Sequence, residues 1–213
     1  MTEFKRLGRD FFIRDTLTVS KQLLGKRVVR NHNGVVLTAM IVETEAYIGT
    51  IDAATHAYRG MTERNKVMWE EGGALYVYQI YGMYFCMNVI TEPKGIPAGV
   101  LIRAVEPLDN IDTMAALRKM NLSTASVYSL TSGPGRVCQA LGVTKKENGI
   151  DLVTNENIYI TEYTDIDQSQ IAITPRINID YAPEAAQYPW RFFIKGNPFV
   201  SKHKNNSRLF GES

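Results

Sequence analysis

The sequence contains few of the residues that hold metals or form covalent cross-links. Its 213 residues include two cysteines, Cys86 and Cys138, and three histidines, His32, His56 and His203. The cysteines lie 52 residues apart and the histidines are scattered, so neither set has the spacing of a zinc site or an iron–sulfur cluster. Because no disulfide framework is present either, we expect an intracellular protein with reduced thiols, and chemistry without metal or cofactor.

Long apolar runs and linkers are also missing. No segment approaches the roughly 18 apolar residues that a membrane span requires, and no apolar stretch follows the charged start of the chain, as a secretory signal would demand. No linker rich in Pro, Gly or Ser divides the chain, whose composition is 45% hydrophobic and 22% charged. We therefore expect one domain over residues 1–213, with a polar, frayed tail at residues 202–213.

The net charge of +2 conceals an uneven distribution along the chain. Residues 1–30 sum to +5 and residues 186–213 to +4, whereas residues 151–185 sum to −6. If both basic ends folded to one side, they could present a surface to a polyanion. Solvated faces without a partner are the simpler interpretation of the same pattern.

Helices and strands are mixed without the regularity of β–α–β units. The apolar spacing predicts helices over residues 12–24, 62–69, 108–120 and 134–141. Strands are predicted over residues 26–30, 35–45, 74–81, 84–91, 99–106, 158–161, 171–174, 177–179 and 190–194. Asp15 is a candidate N-cap, Pro107 lies near the start of the third helix, and Asn33-Gly34 and Gly82-Met83 predict hairpins. Together these elements predict an α+β fold on a mostly antiparallel sheet.

The segment from Met40 to Tyr47 begins as an apolar strand and then presents two acids. Because side chains alternate along a strand, Glu43, Glu45 and Tyr47 share one face, with the carboxylates about 7 Å apart. Such a pair suits acid–base chemistry, and close packing would raise the pKa of at least one carboxyl. The spacing is also compatible with an inverting carbohydrate hydrolase, and a surface carboxylate paired with an arginine is the plain alternative.

Four tyrosines and a phenylalanine occupy ten positions around the turn at Gly82-Met83. Buried tyrosines need partners for their hydroxyls, so this density indicates either an aromatic core or a binding surface. Aromatic faces at a hairpin tip can stack on a base or wedge between base pairs. A non-catalytic module that binds single-stranded nucleic acid is therefore an alternative function.

Three other features are candidates for chemistry. Arg103 lies within an apolar strand, where a charge is rarely buried alone, so it either pairs with a carboxylate of the Glu43/Glu45 strand or faces an anion-binding cleft. The turn over residues 131–136 ends in Arg136 at a helix start, which can attract phosphate or simply cap the helix. His56 follows Glu45 by eleven residues, on the loop that leaves the same strand.

Taken together, these segments resemble the alkyladenine (3-methyladenine) DNA glycosylase family. The resemblance rests on Glu-Thr-Glu-Ala-Tyr at 43–47, Ala-Ala-x-His ending at His56, the tyrosine hairpin ending in Cys-Met-Asn at 86–88, and Leu-Ile-Arg-Ala-Val-Glu-Pro-Leu at 101–108. Gly-Pro-Gly-Arg at 133–136 and residues 191–198 also match, so the similarity spans nearly the whole chain. It implies a single α+β domain with a curved antiparallel sheet, flanking helices and a protruding tyrosine-rich β-hairpin.

The resemblance implies a monofunctional DNA glycosylase of base excision repair. Such an enzyme flips alkylated or deaminated purines out of duplex DNA and hydrolyses the N-glycosidic bond without metal or cofactor. Glu45 would be the general base that activates water, and Arg103 would hold that water together with a backbone carbonyl near residues 177–179. The partner would be double-stranded DNA with a damaged purine, bound by a monomer away from membranes. The preferred lesion stays open among 3-methyladenine, 7-methylguanine, hypoxanthine and ethenoadenine.

The resemblance also implies which side chains bind the substrate. The flipped base would be held by Tyr47, His56, Tyr78 and Asn88. The surrounding DNA would be contacted by Tyr81, Met83, Tyr84 and Arg136.

The pocket role of Tyr78 and Asn88 sets a geometric condition on the hairpin. A two-residue turn at Gly82-Met83 places Tyr78 opposite Met87, which puts Asn88 on the other face. Because both side chains must share a face to line one pocket, we predict a three-residue turn or a bulge.

Overall fold

A computed structural model describes residues 4–210, which fold around an eight-stranded sheet. The strands are β1 (Arg27–His32), β2 (Val35–Ile48), β3 (Leu75–Ile80), β4 (Tyr84–Thr91), β5 (Ala98–Asp109), β6 (Ile158–Thr161), β7 (Ile171–Thr174) and β8 (Arg191–Ile194). The α-helices are α1 (Arg9–Phe12), α2 (Thr16–Gln22), α3 (Ile111–Leu117) and α4 (Pro134–Ala140). The predicted α+β fold is confirmed. None of the helices within residues 4–210 has the length and apolarity to cross a membrane.

The long strand β2 lies at the centre of the sheet. Six strands follow the order β3-β4-β5-β2-β1-β6, and β8 pairs with both β2 and β7, all antiparallel. The first half of β2 pairs with β1, whereas residues 43–45 pair with β8 on that side and with β5 on the other. Register shifts against β5 occur around Glu43, and such irregularities bend a strand. The acidic segment is therefore enclosed by strands on both edges.

The main core lies between the sheet and helices α2 and α4. Val19 of α2 and Val137 of α4 are fully buried against strand residues, as are Leu23 and Leu141, which directly follow the two helices. At the start of α2, the Asp15 side chain accepts a hydrogen bond from the Thr18 backbone N at 2.8 Å. Because this cap requires a non-helical backbone at Asp15, the helix predicted over residues 12–24 begins at Thr16 and ends at Gln22, and Phe12 is the last residue of the separate helix α1.

Three other predicted elements differ from the structure. Pro107, predicted near a helix start, belongs to β5 and pairs with Ala39 next to a register shift, a position where a strand tolerates proline. The third helix consequently begins at Ile111. Residues 62–69 form turns followed by a 3-10 helix over Lys66–Trp69. Residues 177–179 form no strand, because the Ile177 N–H donates to a side chain instead of a neighbouring strand.

The polar segment at residues 202–213 makes ordered contacts over part of its length. Lys204–Ser207 form a 3-10 helix, and the buried Asn205 donates to the Arg176 carbonyl at 2.9 Å. The Phe210 backbone N donates to the Ile173 carbonyl at 2.8 Å. These contacts differ from the predicted fraying, and residues 211–213 of the segment lie outside the described residues.

The tyrosine hairpin between β3 and β4 has a three-residue turn, as predicted. Ile80 pairs with Tyr84, Tyr78 with Cys86 and Tyr76 with Asn88. Tyr81, Gly82 and Met83 form the turn, so Tyr78 and Asn88 share one face of the sheet. At the tip, the Tyr81 and Met83 side chains are 79% and 65% exposed.

Candidate active site

Two buried glutamates and one arginine form the centre of the site. Glu43 and Glu45 of β2 are fully buried, and Arg103 of the adjacent β5 contacts both. Its Nε donates to Glu43 Oε1 at 3.2 Å, and its Nη1 donates to Glu45 Oε2 at 3.2 Å. Arg103 thus pairs with the carboxylates of the acidic strand, one of the two arrangements that the sequence left open.

Glu43 is held as an anion by two arginines. It also accepts hydrogen bonds from Arg191 Nε at 2.6 Å and from the Ser201 backbone N at 2.8 Å. Burial alone would raise the pKa of Glu43, but the charges of Arg103 and Arg191 and the bond from Ser201 lower it. Close packing of the acids therefore does not raise the pKa of Glu43. A carboxylate so fully engaged is not a free acid for a two-carboxylate sugar hydrolase.

Glu45 is held by three donors from three parts of the chain. Its Oε1 accepts from the Ile177 backbone N at 2.7 Å, and its Oε2 accepts from the Tyr47 hydroxyl at 2.9 Å as well as from Arg103. The resemblance implied a role for a carbonyl near residues 177–179. The structure brings that segment to Glu45 through the N–H of Ile177.

A cleft of about 1060 Å³ opens in front of this centre. Its walls include the predicted site residues Tyr47, His56, Tyr78, Tyr81, Tyr84, Arg103 and Arg136. Glu45 lies behind the wall, because its three donors Tyr47, Arg103 and Ile177 all line the cleft. A ligand in the cleft would therefore lie next to these three donors, with the Glu45 carboxylate behind them.

The predicted residues Asn88 and Met83 do not line the cleft. Asn88 lines a small inner cavity of about 40 Å³, together with Tyr47, His56 and Tyr78. Its buried Nδ2 atom has no hydrogen-bond partner within residues 4–210. Met83 lines neither cavity and extends from the hairpin tip.

Aromatic rings pack closely along one wall. The His56 and Tyr78 ring centroids lie 4.5 Å apart edge to face, and Tyr76 and Tyr78 stack at 5.3 Å. Burial raises the pKa of Tyr47 and of Tyr78 well above the usual tyrosine value, so both hydroxyls stay protonated. Burial, together with the charge of Arg64, lowers the pKa of His56. The wall is therefore uncharged at neutral pH and suited to a flat ring.

The start of α4 packs against the hairpin. A Cβ atom on Gly135 would come within 3.2 Å of Tyr84 Cβ, so glycine permits this close approach. Arg136 is consequently placed in the cleft next to Tyr84 and donates weakly to the Ser129 carbonyl at 3.4 Å. The helix start thus contributes one cation to the mouth of the cleft.

The cleft is basic, although its cations are not those that the charge distribution indicated. Arg64, Arg103, Arg118 and Arg136 line it, and no aspartate or glutamate of the described chain does. All four arginines come from residues 31–150, which carry a net charge of −1, and not from the basic ends. A basic cleft with aromatic walls suits an anionic chain that carries stacking bases.

Sequence reasoning missed the ion pair of Asp52 and Arg176. Both side chains are fully buried, and Arg176 donates to the two Asp52 oxygens at 2.6 and 2.8 Å. Arg176 also donates to the Ala46 carbonyl at 2.8 Å, and its guanidinium lies 4.6 Å from the Tyr47 ring centroid. Since Arg176 precedes Ile177, the pair fixes both the aromatic wall and a donor to Glu45. The sequence contains one indication of this pair, because Arg176 is the sole basic residue of the acidic block 151–185.

No group of three or more His, Cys, Asp or Glu side chains within residues 4–210 is arranged to bind a metal ion. The arrangement at the centre is instead a carboxylate surrounded by hydrogen-bond donors, which can take a proton from a bound water.

Comparisons with known proteins agree with this geometry. The family model for methylpurine-DNA glycosylase matches residues 10–198. A relative from Clostridium perfringens (strain SM101 / Type A), named "Putative 3-methyladenine DNA glycosylase", is 52% identical over 203 residues, covering 92% of this chain and 99% of its own. Relatives with the same name from Alkaliphilus oremlandii and Bacillus cereus (strain G9842) are each 50% identical, over 92% and 90% of this chain and 99% and 97% of their own.

The fold, the site and these similarities define a DNA-repair enzyme of the glycosylase class, a hydrolase of N-glycosidic bonds that acts on DNA. The chain belongs to the methylpurine-DNA glycosylase family. The resemblance seen in the sequence is thereby confirmed, together with the enzyme class.

Proposed function

We propose that this protein is an intracellular, monomeric and monofunctional glycosylase that removes alkylated or deaminated purines from duplex DNA. In this proposal the damaged nucleotide turns out of the helix into the cleft, and Glu45 activates the water that attacks the sugar. The observation that carries the proposal is the position of Glu45, directly behind an aromatic and basic cleft whose wall supplies its three donors.

The binding step requires compensation for unstacking the base. Extruding a nucleotide costs a few kcal/mol, and less when the base is damaged and weakly paired. Stacking on aromatic rings contributes about 1–3 kcal/mol per base, and Tyr47, Tyr78 and His56 provide such rings on the cleft wall. The exposed Tyr81 at the hairpin tip would occupy the gap left in the duplex. Arg136 would contact a backbone phosphate, with Met83 and Tyr84 beside the wedge.

The chemical step needs one free position on Glu45. An ionised carboxylate has about four lone-pair sites, and the three donors Tyr47, Arg103 and Ile177 occupy three of them. Because Glu45 is fully buried, a water molecule would reach the fourth site only when one of these donors moves. Glu45 would take the proton of this water as its oxygen bonds to the sugar carbon and the bond to the purine breaks. A purine alkylated at N3 or N7 carries positive charge and leaves readily, and the anionic Glu45 also stabilises the cation-like sugar.

Selectivity would arise in the inner cavity. The Asn88 amide, which lacks a partner there within residues 4–210, would meet the amino group of a normal guanine and disfavour its entry. A buried side chain that forms hydrogen bonds can reject a base when the base leaves buried polar groups without partners. Normal guanine would then be spared even though it fits between the same rings.

The decisive experiment is single-turnover excision from duplexes that carry one defined lesion. For Glu45→Gln we expect a rate loss of roughly 10²–10⁴-fold, the usual span for a general base, with DNA affinity retained. The control is Glu156→Gln, which changes an exposed carboxylate far along the chain and should keep the wild-type rate. Equal excision by wild type and Glu45→Gln would contradict the role of Glu45.

The same assay separates the alternatives. Binding of undamaged single strands without release of any base would favour the non-catalytic module that the tyrosine hairpin also allows. No lysine occupies the position of Glu45, so borohydride should trap no covalent complex with DNA. A trapped adduct would contradict monofunctional chemistry. A panel with 7-methylguanine, hypoxanthine and ethenoadenine then ranks the lesions.

A further inference from the structure

A second cavity of about 690 Å³ adjoins the cleft on the other side of Arg103. We call it the side chamber. Five residues line both spaces: Arg103, Gly133, Arg136, Ile177 and Asn178. The rest of its wall includes Tyr128, Ser201, Lys202 and His203. The two spaces therefore share part of their walls, so that neighbouring nucleotides of one strand could occupy both.

The side chamber is lined by cations and by no acid of the described chain. Arg136 and Lys202 are exposed, and within residues 4–210 neither forms an ion pair. Arg103 uses Nε and Nη1 for the two glutamates, and its Nη2 takes no part in those bonds. Arg103 is neutralised by these glutamates, so the uncompensated positive charge of the wall comes from Arg136 and Lys202.

Ser201 supplies an independent indication of a ligand. Its side chain is only 8% exposed, and its Oγ has no hydrogen-bond partner within residues 4–210. An unpaired buried hydroxyl costs about 1–3 kcal/mol, whereas the Ser201 backbone N–H is satisfied by Glu43 at 2.8 Å. Because Ser201 lines the side chamber, a rotation of its side chain would bring this unpaired hydroxyl to an acceptor there.

His203 adds a second neutral donor. Its Nδ1 accepts a hydrogen bond from the Asn205 backbone N at 3.1 Å, so the neutral ring carries its proton on Nε2. The described residues of the side chamber thus offer a hydroxyl, an imidazole N–H and cationic donors, and no carboxylate lines it. Such a set of donors suits an oxyanion.

We propose that the side chamber binds a backbone phosphate of the damaged DNA strand, adjacent to the nucleotide that enters the cleft. This assignment rests on the proposed function, because the cleft must hold a nucleotide for the strand to continue past Arg103. Lys202 provides the charge, and Ser201 and His203 provide the directed hydrogen bonds. The contact fixes the register of the strand relative to Glu45.

The test maps single phosphates on a duplex with one ethenoadenine. In each duplex one phosphate near the lesion is replaced by a neutral methylphosphonate, and affinity is measured over a range of salt concentrations. We expect one position at which the substitution weakens wild-type binding but does not weaken binding by Lys202→Ala. Loss of that one contact should reduce the slope of the logarithm of the DNA association constant, plotted against the logarithm of the salt concentration, by about 0.9.

Lys204→Ala is the matched control, since it removes the same charge from an exposed residue two positions away that does not line the side chamber. It should keep the wild-type methylphosphonate profile. Ser201→Ala, which retains the backbone N–H to Glu43, should weaken binding several-fold with the same loss of sensitivity at that position. Equal behaviour of Lys202→Ala and Lys204→Ala, with no position singled out, would overturn the assignment.

Two outcomes separate this inference from the proposed function and from a free anion. If wild-type protein excises the lesion but no phosphate depends on Lys202, the side-chamber assignment alone fails. If wild-type protein excises no lesion, the proposed function fails first. Inorganic phosphate that protects against unfolding in wild type but not in Lys202→Ala, with a flat methylphosphonate profile, would identify a free-anion site and overturn the DNA assignment.

Discussion

Replacement of Asp52 by alanine tests how the buried ion pair with Arg176 supports the site. The substitution removes two charge-assisted hydrogen bonds, at 2.6 and 2.8 Å. It also removes two bonds from backbone N atoms, from Ala54 at 3.0 Å and from Ile48 at 3.4 Å. The Arg176 guanidinium stays fully buried, with two backbone carbonyls as its remaining acceptors. An uncompensated charge is then left beside the Tyr47 ring.

The magnitude follows from this geometry. Breaking a buried ion pair by removing one partner destabilises a protein by about 3–5 kcal/mol, a large share of the roughly 5–15 kcal/mol that stabilises a typical domain. Asp52→Asn keeps an oxygen acceptor in place, so we expect a smaller loss, about 1.5–3 kcal/mol for weakened bonds to a charged group. The double variant Asp52→Ala/Arg176→Met leaves no buried charge. Its loss should fall short of the sum of the single losses by about 1–3 kcal/mol.

Urea unfolding followed by tryptophan fluorescence measures these differences. Trp190 is a suitable reporter, because the Arg176 guanidinium lies 5.1 Å from its ring centroid. The slope of the free energy of unfolding against urea must stay constant for the comparison to hold. A loss below about 1 kcal/mol for Asp52→Ala, typical of exposed pairs, would refute the reasoning, as would additive losses in the double variant.

Two titratable side chains give further predictions. Burial and the charge of Arg64 lower the pKa of His56 from 6.5, so protonation favours the unfolded chain and stability must fall as pH drops below 6.5. In urea unfolding between pH 5 and 7, the free energy of unfolding should decrease less for His56→Gln than for wild type. An equal decrease would contradict the lowered pKa of His56. Burial raises the pKa of Cys86 to about 11, so its thiol should react slowly with a disulfide reagent at pH 8 until urea unfolds the protein; fast labelling of the folded protein would disagree.

Local features of the fold could be predicted because their causes are local. Asn33 and Gly34 both adopt positive φ, at 51° and 86°, as a tight hairpin turn demands. The shared face of Glu43, Glu45 and Tyr47 follows from strand alternation alone. The three-residue turn of the tyrosine hairpin followed from the condition that two side chains line one pocket.

The failures have a common physical reason. The sequence pattern around Pro107 indicated a helix start, yet pairing with β2 extended β5 to Asp109. The pKa of Glu43 depends on Arg191, which lies 148 residues away in sequence. Side-chain periodicity carries no information about which distant strand will lie on the second edge of β2.

The turns and the alternation along β2 could be predicted from the amino-acid sequence, and its family motifs indicated the side chains that meet at the cleft. The enclosure of the acids by β5 and β8, the pairing of Asp52 with Arg176 across 124 residues and the place of Ser201 in the wall of the side chamber depend on the folded chain. Turns and alternation arise from the backbone preferences of adjacent residues. The charge balance at Glu43 and Glu45 depends on burial. A segment becomes buried only when the segments that surround it in the folded protein are in place.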